Sequence, residues 1–211
     1  MPNWVINKVT FTGSKENIAL LRKFVTTEEN VFDFQQIIPM PDSLNVTSGS
    51  DEDFAIRCAK SFKEGNMEPT KEYEESTWQK KHKTFQEWVE LGLQYLDNMK
   101  KYGAYDWYDW RCWHWGTKWN SCDAAWYGDN MVVFDTAWST PLPIYQKLAK
   151  LFPDVEIDVD YADEDLGNNC GTIWCSGEDY SVDVKDDFEF ACAVHGYDPD
   201  EIRNEYAEEG E

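Results

Sequence analysis

Two clusters in this 211-residue chain have the residue types that catalysis or metal binding needs. The first is Asp109, Cys112 and His114. A cysteine beside an imidazole can be made a nucleophile, and in a strand Cys112 and His114 would share a face. Neighbouring Cys and His in sequence are nevertheless not the signature of a cysteine enzyme, and nothing marks Asp109 as the group that orients the ring. Cys112, His114 and Cys122 supply at most three zinc ligands, at spacings unlike those of zinc fingers. The second cluster is Asp158, Asp160, Asp163, Glu164 and Asp165, followed by Gly167, Asn168 and Asn169. These are hard oxygen ligands, but their order is not that of a calcium loop. Gly116-Thr117-Lys118 lacks the glycine framework and trailing hydroxyl of a phosphate-binding loop. The sequence therefore implies no catalytic residue, no metal and no cofactor. Metal-assisted hydrolysis at the acidic loop is the weakest alternative.

Charge says more. From Leu151 onward there are 20 Asp or Glu against Lys185 and Arg203, so 18 of the 22 net negative charges fall in the last 61 residues. Such a field repels nucleic acid and attracts basic protein surfaces. A third feature is aromatic. Six of the 11 tryptophans lie between Trp107 and Trp126, in a tract running Trp107, Tyr108, Trp110, Trp113, Trp115, Gly116, Thr117, Lys118, Trp119. Two readings compete for it. The rings form a platform that stacks bases or anchors a partner, or they fill the space between a sheet and an inserted helix. Base stacking usually comes with a basic groove, and this tract carries only Arg111 and Lys118.

The elements that position these groups follow from periodicity. Trp4 to Thr12 alternates as a strand, Gly13-Ser14 turns and caps, and Ile18, Leu21, Phe24 and Val25 repeat at helical spacing. Phe32 to Ile38 is expected to be a short extended segment that stops at Pro39 and Pro41. Residues 43–104 are expected to be a helical insertion, with a firm amphipathic helix from Thr84 to Tyr102. A strand follows over residues 130–139, then a helix from Pro141 to Leu151. Val155 to Tyr161 is a period-two strand with Val155, Ile157, Val159 and Tyr161 inward and Glu156, Asp158 and Asp160 outward, about 6.6 to 6.8 Å apart. A hairpin turns across Ser176 to Asp179. Phe188 to Val194 is a strand or short helix, and a terminal helix starts at Asp198 within an acidic extension, 186–211. One helix thus stands between strands twice. The fold class is α+β, a single ferredoxin-like domain over 1–211 with helices on one face of an antiparallel sheet.

Met-Pro-Asn-Trp with Asn7, Phe32-Asp33-Phe34 to Pro41, Trp107-Tyr108-x-Trp110, Trp115-Gly116-Thr117-Lys118-Trp119 and Phe134-Asp135-Thr136-Ala137-Trp138-Ser139-x-Pro141 occur in that order. In these the chain resembles the YubB-type ferredoxin-like domain family. The resemblance implies a domain encoded by phages, plasmids and other mobile elements, with no established catalytic activity. The acidic C-terminal part departs from the usual family pattern.

No run approaches the roughly 18 apolar residues of a membrane span, and the six cysteines show no Cys-x-x-Cys pair. The cytoplasm of a host cell is the expected location. The expected function is non-enzymatic: binding and inhibiting a basic nucleic-acid-binding host defence protein, as a DNA mimic with anti-CRISPR or anti-restriction activity. Its contacts would be Asp158, Asp160, Asp163, Glu164, Asp165, Asp179, Asp183, Asp186 and Asp187. No direct nucleic-acid binding is expected from this reading. The alternative is a ligand- or single-stranded nucleic-acid-binding module using Trp107, Trp110, Trp113 and Trp115.

Overall fold

The computed structural model describes residues 2–65, 71–75 and 82–209. Strand β1 (Trp4–Thr12) buries Val5, Asn7, Val9 and Phe11 on one face. It runs into α1 (Lys15–Val25), where Ser14 Oγ accepts from the Asn17 N–H at 3.1 Å and caps the first turn. The segment expected to be extended at 32–38 is instead a helical turn, α2 (Phe34–Ile37). Asp33 is the reason: its carboxylate accepts from the Gln35 N–H at 2.9 Å, an N-cap that outweighs the strand-like alternation.

The chain divides into two compact units, Met40–Cys112 and the remainder. In the first, a 3₁₀ turn (Asp42–Leu44) precedes α3 (Glu52–Lys63), α4 (Lys71–Glu74) and α5 (Phe85–Tyr102), and these three α-helices lie within the expected insertion, 43–104. Thr84 and Glu87 form a reciprocal capping box at the start of α5. At Gly92, α3 and α5 touch so closely that a Cβ would lie 2.0 Å from the Ala55 carbonyl oxygen. Phe54 meets Trp88 edge-on, and the Tyr95 hydroxyl donates to the Thr47 carbonyl. Helix α6 spans Trp107–His114.

The other unit carries β1, α1 and α2, then β2 (Cys122–Tyr127), β3 (Met131–Ala137), α7 (Leu142–Leu151), β4 (Glu156–Asp163), β5 (Gly171–Ser176), β6 (Asp179–Val184), α8 (Phe188–His195) and α9 (Pro199–Glu209). One six-stranded sheet has the order β2-β3-β1-β4-β5-β6, and every neighbouring pair is antiparallel. Taken in chain order, β1-α1-β2-β3-α7-β4 is a split β-α-β repeat in the sheet order 2-3-1-4, which is the ferredoxin-like arrangement. Strands β5 and β6 extend it beyond β4. The β2 strand occupies the place for which the sequence suggested residues 32–38.

The core face is aromatic and aliphatic. Phe32 stacks on Phe134 at 4.9 Å, Phe34 meets Trp115 edge-on at 5.8 Å, and Ile144 and Leu148 of α7 are fully buried. One polar network lies within it. Asn7 Nδ2 donates to the Val5 carbonyl and to Thr136 Oγ1, both at 2.9 Å, while the Tyr145 hydroxyl donates to Asn7 Oδ1 at 3.0 Å. Helix α8 breaks the expected one-sided helix layer. Its Ala191 and Val194 pack with Ala162 and Ile6, whose side chains leave the opposite face of the sheet. Phe188 to Val194 is helical because Asp187 caps it and Gly196, at φ +82, ends it.

Candidate functional site

The second face of the sheet, beyond the end covered by α8, is where the acidic residues gather. Odd-numbered β4 residues Ile157, Val159 and Tyr161 point into the core, so Glu156, Asp158 and Asp160 point to solvent, as the alternation predicts. Register then sets their neighbours. Asp160 lies beside Thr172, and Thr172 beside Asp183, so two carboxylates stand in one cross-strand row about 10 Å apart, two strand spacings. Asp158, Trp174 and Ser181 form the next row. Across the six strands the charged residues are Asp123, Asp135, Glu156, Asp158, Asp160, Asp163, Asp179 and Asp183 against Lys8 alone.

Lys8 stands opposite Asp160. Partial burial raises the Asp160 carboxyl above the ordinary aspartate range, Lys8 opposes that rise, and Asp158 adds to it. Asp183 is paired with Lys185 across the exposed surface. Trp174, half-buried in the middle of the acidic rows, was not singled out from the sequence. The Thr172, Trp174, Ser176 alternation of β5 was the available signal. Beyond β1 the same face carries half-buried Met131, Val133 and Asp135 and exposed Tyr127.

The remaining acidic candidates separate into different roles. Asp163 is buried, on the inward parity of β4, and its carboxylate accepts from the Asp165 N–H at 3.0 Å and from Asn169 Nδ2 at 2.9 Å. It holds the β4–β5 loop, which corrects its placement among the partner contacts. Asp187 accepts from the Phe190 N–H at 2.6 Å and serves as the cap of α8. Asp165 accepts from Asn168 Nδ2 at 3.1 Å within the loop. Glu164, Asp179 and Asp186 are exposed, the last at φ +43.

The aromatic tract is dispersed. Trp107 to His114 is helical, not extended, so Cys112 and His114, two residues apart, do not share a face. Trp110 and Trp115 are buried, and the Trp115 indole donates to the Ile38 carbonyl at 2.8 Å. Trp107 and Tyr108 are half-buried and meet edge-on, while Trp113 is 61% exposed. Thr117 donates to the Ala137 carbonyl at 2.8 Å, and Ser139 donates to the Gly116 carbonyl, which ties this tract to the end of β3. Gly116, at φ +80, is packed where a Cβ would meet Pro143 at 2.9 Å. Lys118 Nζ lies 3.9 Å from both the Trp119 and Trp138 rings, a double cation–π contact. Residues 115–118 therefore tie the chain to Ile38 and to the end of β3, while Trp113 is an exposed ring.

No group of three or more His, Cys, Asp or Glu side chains able to hold a metal ion occurs among the described residues. Nor, among them, is any helix long and apolar enough to cross a membrane. A cavity of about 610 Å³ near Phe11, Gly13, Lys15, Ile18 and Arg22 lies apart from the acidic rows. Its Arg22 is engaged, donating to the Gly128 carbonyl at 3.1 Å and lying over Trp126.

Residues 114–210 match the family model described as the ferredoxin-like domain in Api92-like protein. The match runs from the end of α6 through α9. Among solved structures, the crystal structure of protein api92 from Yersinia pseudotuberculosis is similar, at 12% identity and a TM-score of 0.44, covering 88% of this chain and 99% of that one. No curated protein matches the sequence.

Proposed function

We propose that this protein is a non-enzymatic inhibitor that binds a basic, nucleic-acid-binding defence protein of a host cell, such as a restriction or CRISPR nuclease, and occupies the surface that its target uses for nucleic acid. The observation that carries this reading is the pair of carboxylates held in one row on a rigid sheet, Asp160 and Asp183, with Asp158 one row along and a single lysine among the strands. Carboxylates and phosphates offer arginine the same bidentate acceptor geometry. A fixed array of them presents to a nucleic-acid-binding surface the pattern it is built to engage. Trp174 would supply an anchor that slows dissociation, while the charge speeds encounter. The sequence resemblance to the YubB-type family, which implies phage and plasmid proteins, supports the same direction, and the action we propose is in the cytoplasm of a host cell.

Nucleic acid as a direct ligand is disfavoured by that array, since a sheet face that stacks bases needs cations to hold the backbone. The burial of Trp110 and Trp115 removes two of the four rings on which the ligand-binding alternative relied.

Capture from host lysate at low and high salt tests the reading. The expected catch is a basic nucleic-acid-binding protein that salt releases and duplex DNA displaces. The variant D158K/D160K/D183K should lose both capture and inhibition. Inhibition unchanged in that variant, with its fold intact by circular dichroism, would refute the proposal. Because Asp160 protonates at a higher pH than an ordinary aspartate, binding should also weaken early as pH falls.

A further inference from the structure

Among the described residues, strand β6 is the last strand of the sheet and has a partner on one side only. We infer that its open edge receives an extended basic segment of the partner protein, which joins the sheet as a seventh strand. This rests on the acidic-surface reading above and adds to it the docking edge and the form of the partner.

The first support is main-chain phase. The hairpin loop has two residues, Gly177 and Glu178, so the flanking pair Ser176 and Asp179 is hydrogen-bonded and the pairs alternate from there. The Lys185 N–H donates to the Cys170 carbonyl at 2.9 Å, in step with that alternation. Ser181 and Asp183 therefore spend their main-chain groups on β5. The N–H and C=O groups of Tyr180, Val182 and Val184 point the other way, outward from the edge.

The second support is side-chain placement. The same three residues are the exposed apolar ones, at 54%, 42% and 58%. They lie on the core-face side of the sheet, opposite Cys175, Ile173 and Gly171. One short strand thus offers outward main-chain groups and an uncovered apolar stripe at the same positions. Natural edge strands are usually guarded by charge. Here the charged residues of the strand itself, Asp179 and Asp183, are both negative and both on the other face, and Asp183 has Lys185, just beyond the strand, as its ion-pair partner.

That asymmetry selects the occupant. An added strand with apolar residues at alternate positions would cover Tyr180, Val182 and Val184, and its intervening residues would stand about 5 Å from Asp179 and Asp183. Lysine or arginine at those positions would be held by the acidic rows. A second copy of this chain fits poorly, because antiparallel pairing of β6 with itself sets four aspartates on one face of adjacent strands in a chain of net charge −22.

The test uses the full chain and a capped heptapeptide of alternating lysine and valine, with an alternating lysine and proline peptide as a control of equal charge that cannot form a strand. Amide hydrogen exchange resolved by residue is the readout. The lysine-valine peptide should slow exchange at Tyr180, Val182 and Val184. Val182→Pro removes an outward N–H without touching the β5 ladder. It should weaken that peptide roughly tenfold while exchange across β4 and β5 is unchanged. A lysine-valine peptide with N-methyl groups on its pairing edge, added to the unmodified protein, should lose affinity equally, so the test stands even if the proline variant fails to fold.

Equal binding of the two unmethylated peptides, or binding indifferent to both backbone blocks, would overturn edge pairing and leave the acidic-surface reading intact. Concentration-dependent dimerisation that Val182→Pro abolishes would assign the edge to a second copy instead. Failure of every basic peptide to bind at low salt would remove the acidic-surface reading itself.

Discussion

Replacing Tyr145 by phenylalanine deletes one oxygen, and the structure gives that oxygen a measurable weight. The hydroxyl donates to Asn7 Oδ1 at 3.0 Å, and Asn7 is fully buried. The Asn7 amide nitrogen is already committed to the Val5 carbonyl and Thr136 Oγ1. Burial also pushes the Tyr145 phenol above its ordinary range, so it stays protonated and able to donate at any ordinary pH. Tyr145→Phe keeps the ring and its packing, yet leaves a buried carbonyl oxygen without its donor, at a cost of about 1 to 3 kcal/mol. For a chain of this size each kcal/mol moves Tm by about 2 to 4 °C, so calorimetry should record a fall of roughly 2 to 12 °C. Asn7→Leu removes the acceptor, and the double variant should be more stable than the two single losses predict, with a coupling of about 1 to 2 kcal/mol. A Tyr145→Phe protein melting within about 1 °C of the parent, or strictly additive losses, would refute the assignment of this network to the core.

Other consequences are as direct. Gly92→Ala forces a Cβ toward the Ala55 carbonyl oxygen, and should cost about 3 kcal/mol or more, read as lost exchange protection in α3 and α5. The Glu87 carboxylate accepts from the Thr84 N–H and hydroxyl, which lowers its pKa. Its stabilisation is full above the ordinary glutamate range and lost as pH falls through the lower folded value, and Thr84→Ala should flatten that pH dependence of α5 helicity. Alkylation followed by mass spectrometry should label half-buried Cys112 and Cys122 before buried Cys58, Cys170, Cys175 and Cys192. Cys175 should be among the slowest, since burial pushes its thiol up to about 11. Early labelling of Cys175 would mean that β5 is not covered as described.

The sequence alone determined the elements whose signals are local. The alternation of β1 and β4, the helical spacing and caps of α1 and α5, the two-residue turn before β6, and the segregation of acids all follow from neighbours within a few residues. Outward placement of Asp158 and Asp160 was legible for the same reason, because period two leaves each residue one face. Asp163 has the inward parity, but only the continuation of β4 as far as that residue, paired to Val5 of β1, shows that the parity applies. Strand β2 was hidden because the register shifts between Cys122 and Ala125, where Asp123 takes φ +49 and breaks the alternation. The helical state of Trp107 to His114 was equally unreadable, since an aromatic-rich pattern broken by Asp109, Arg111 and Cys112 fits either period until long-range packing selects one. Tertiary structure alone decided that Asp160 and Asp183, 23 residues apart in sequence, share one row, that Trp174 sits beside them, and that Tyr180, Val182 and Val184 are left on an open edge. Those are properties of strand order and register, which arise from contacts between distant segments and leave no mark on any one of them.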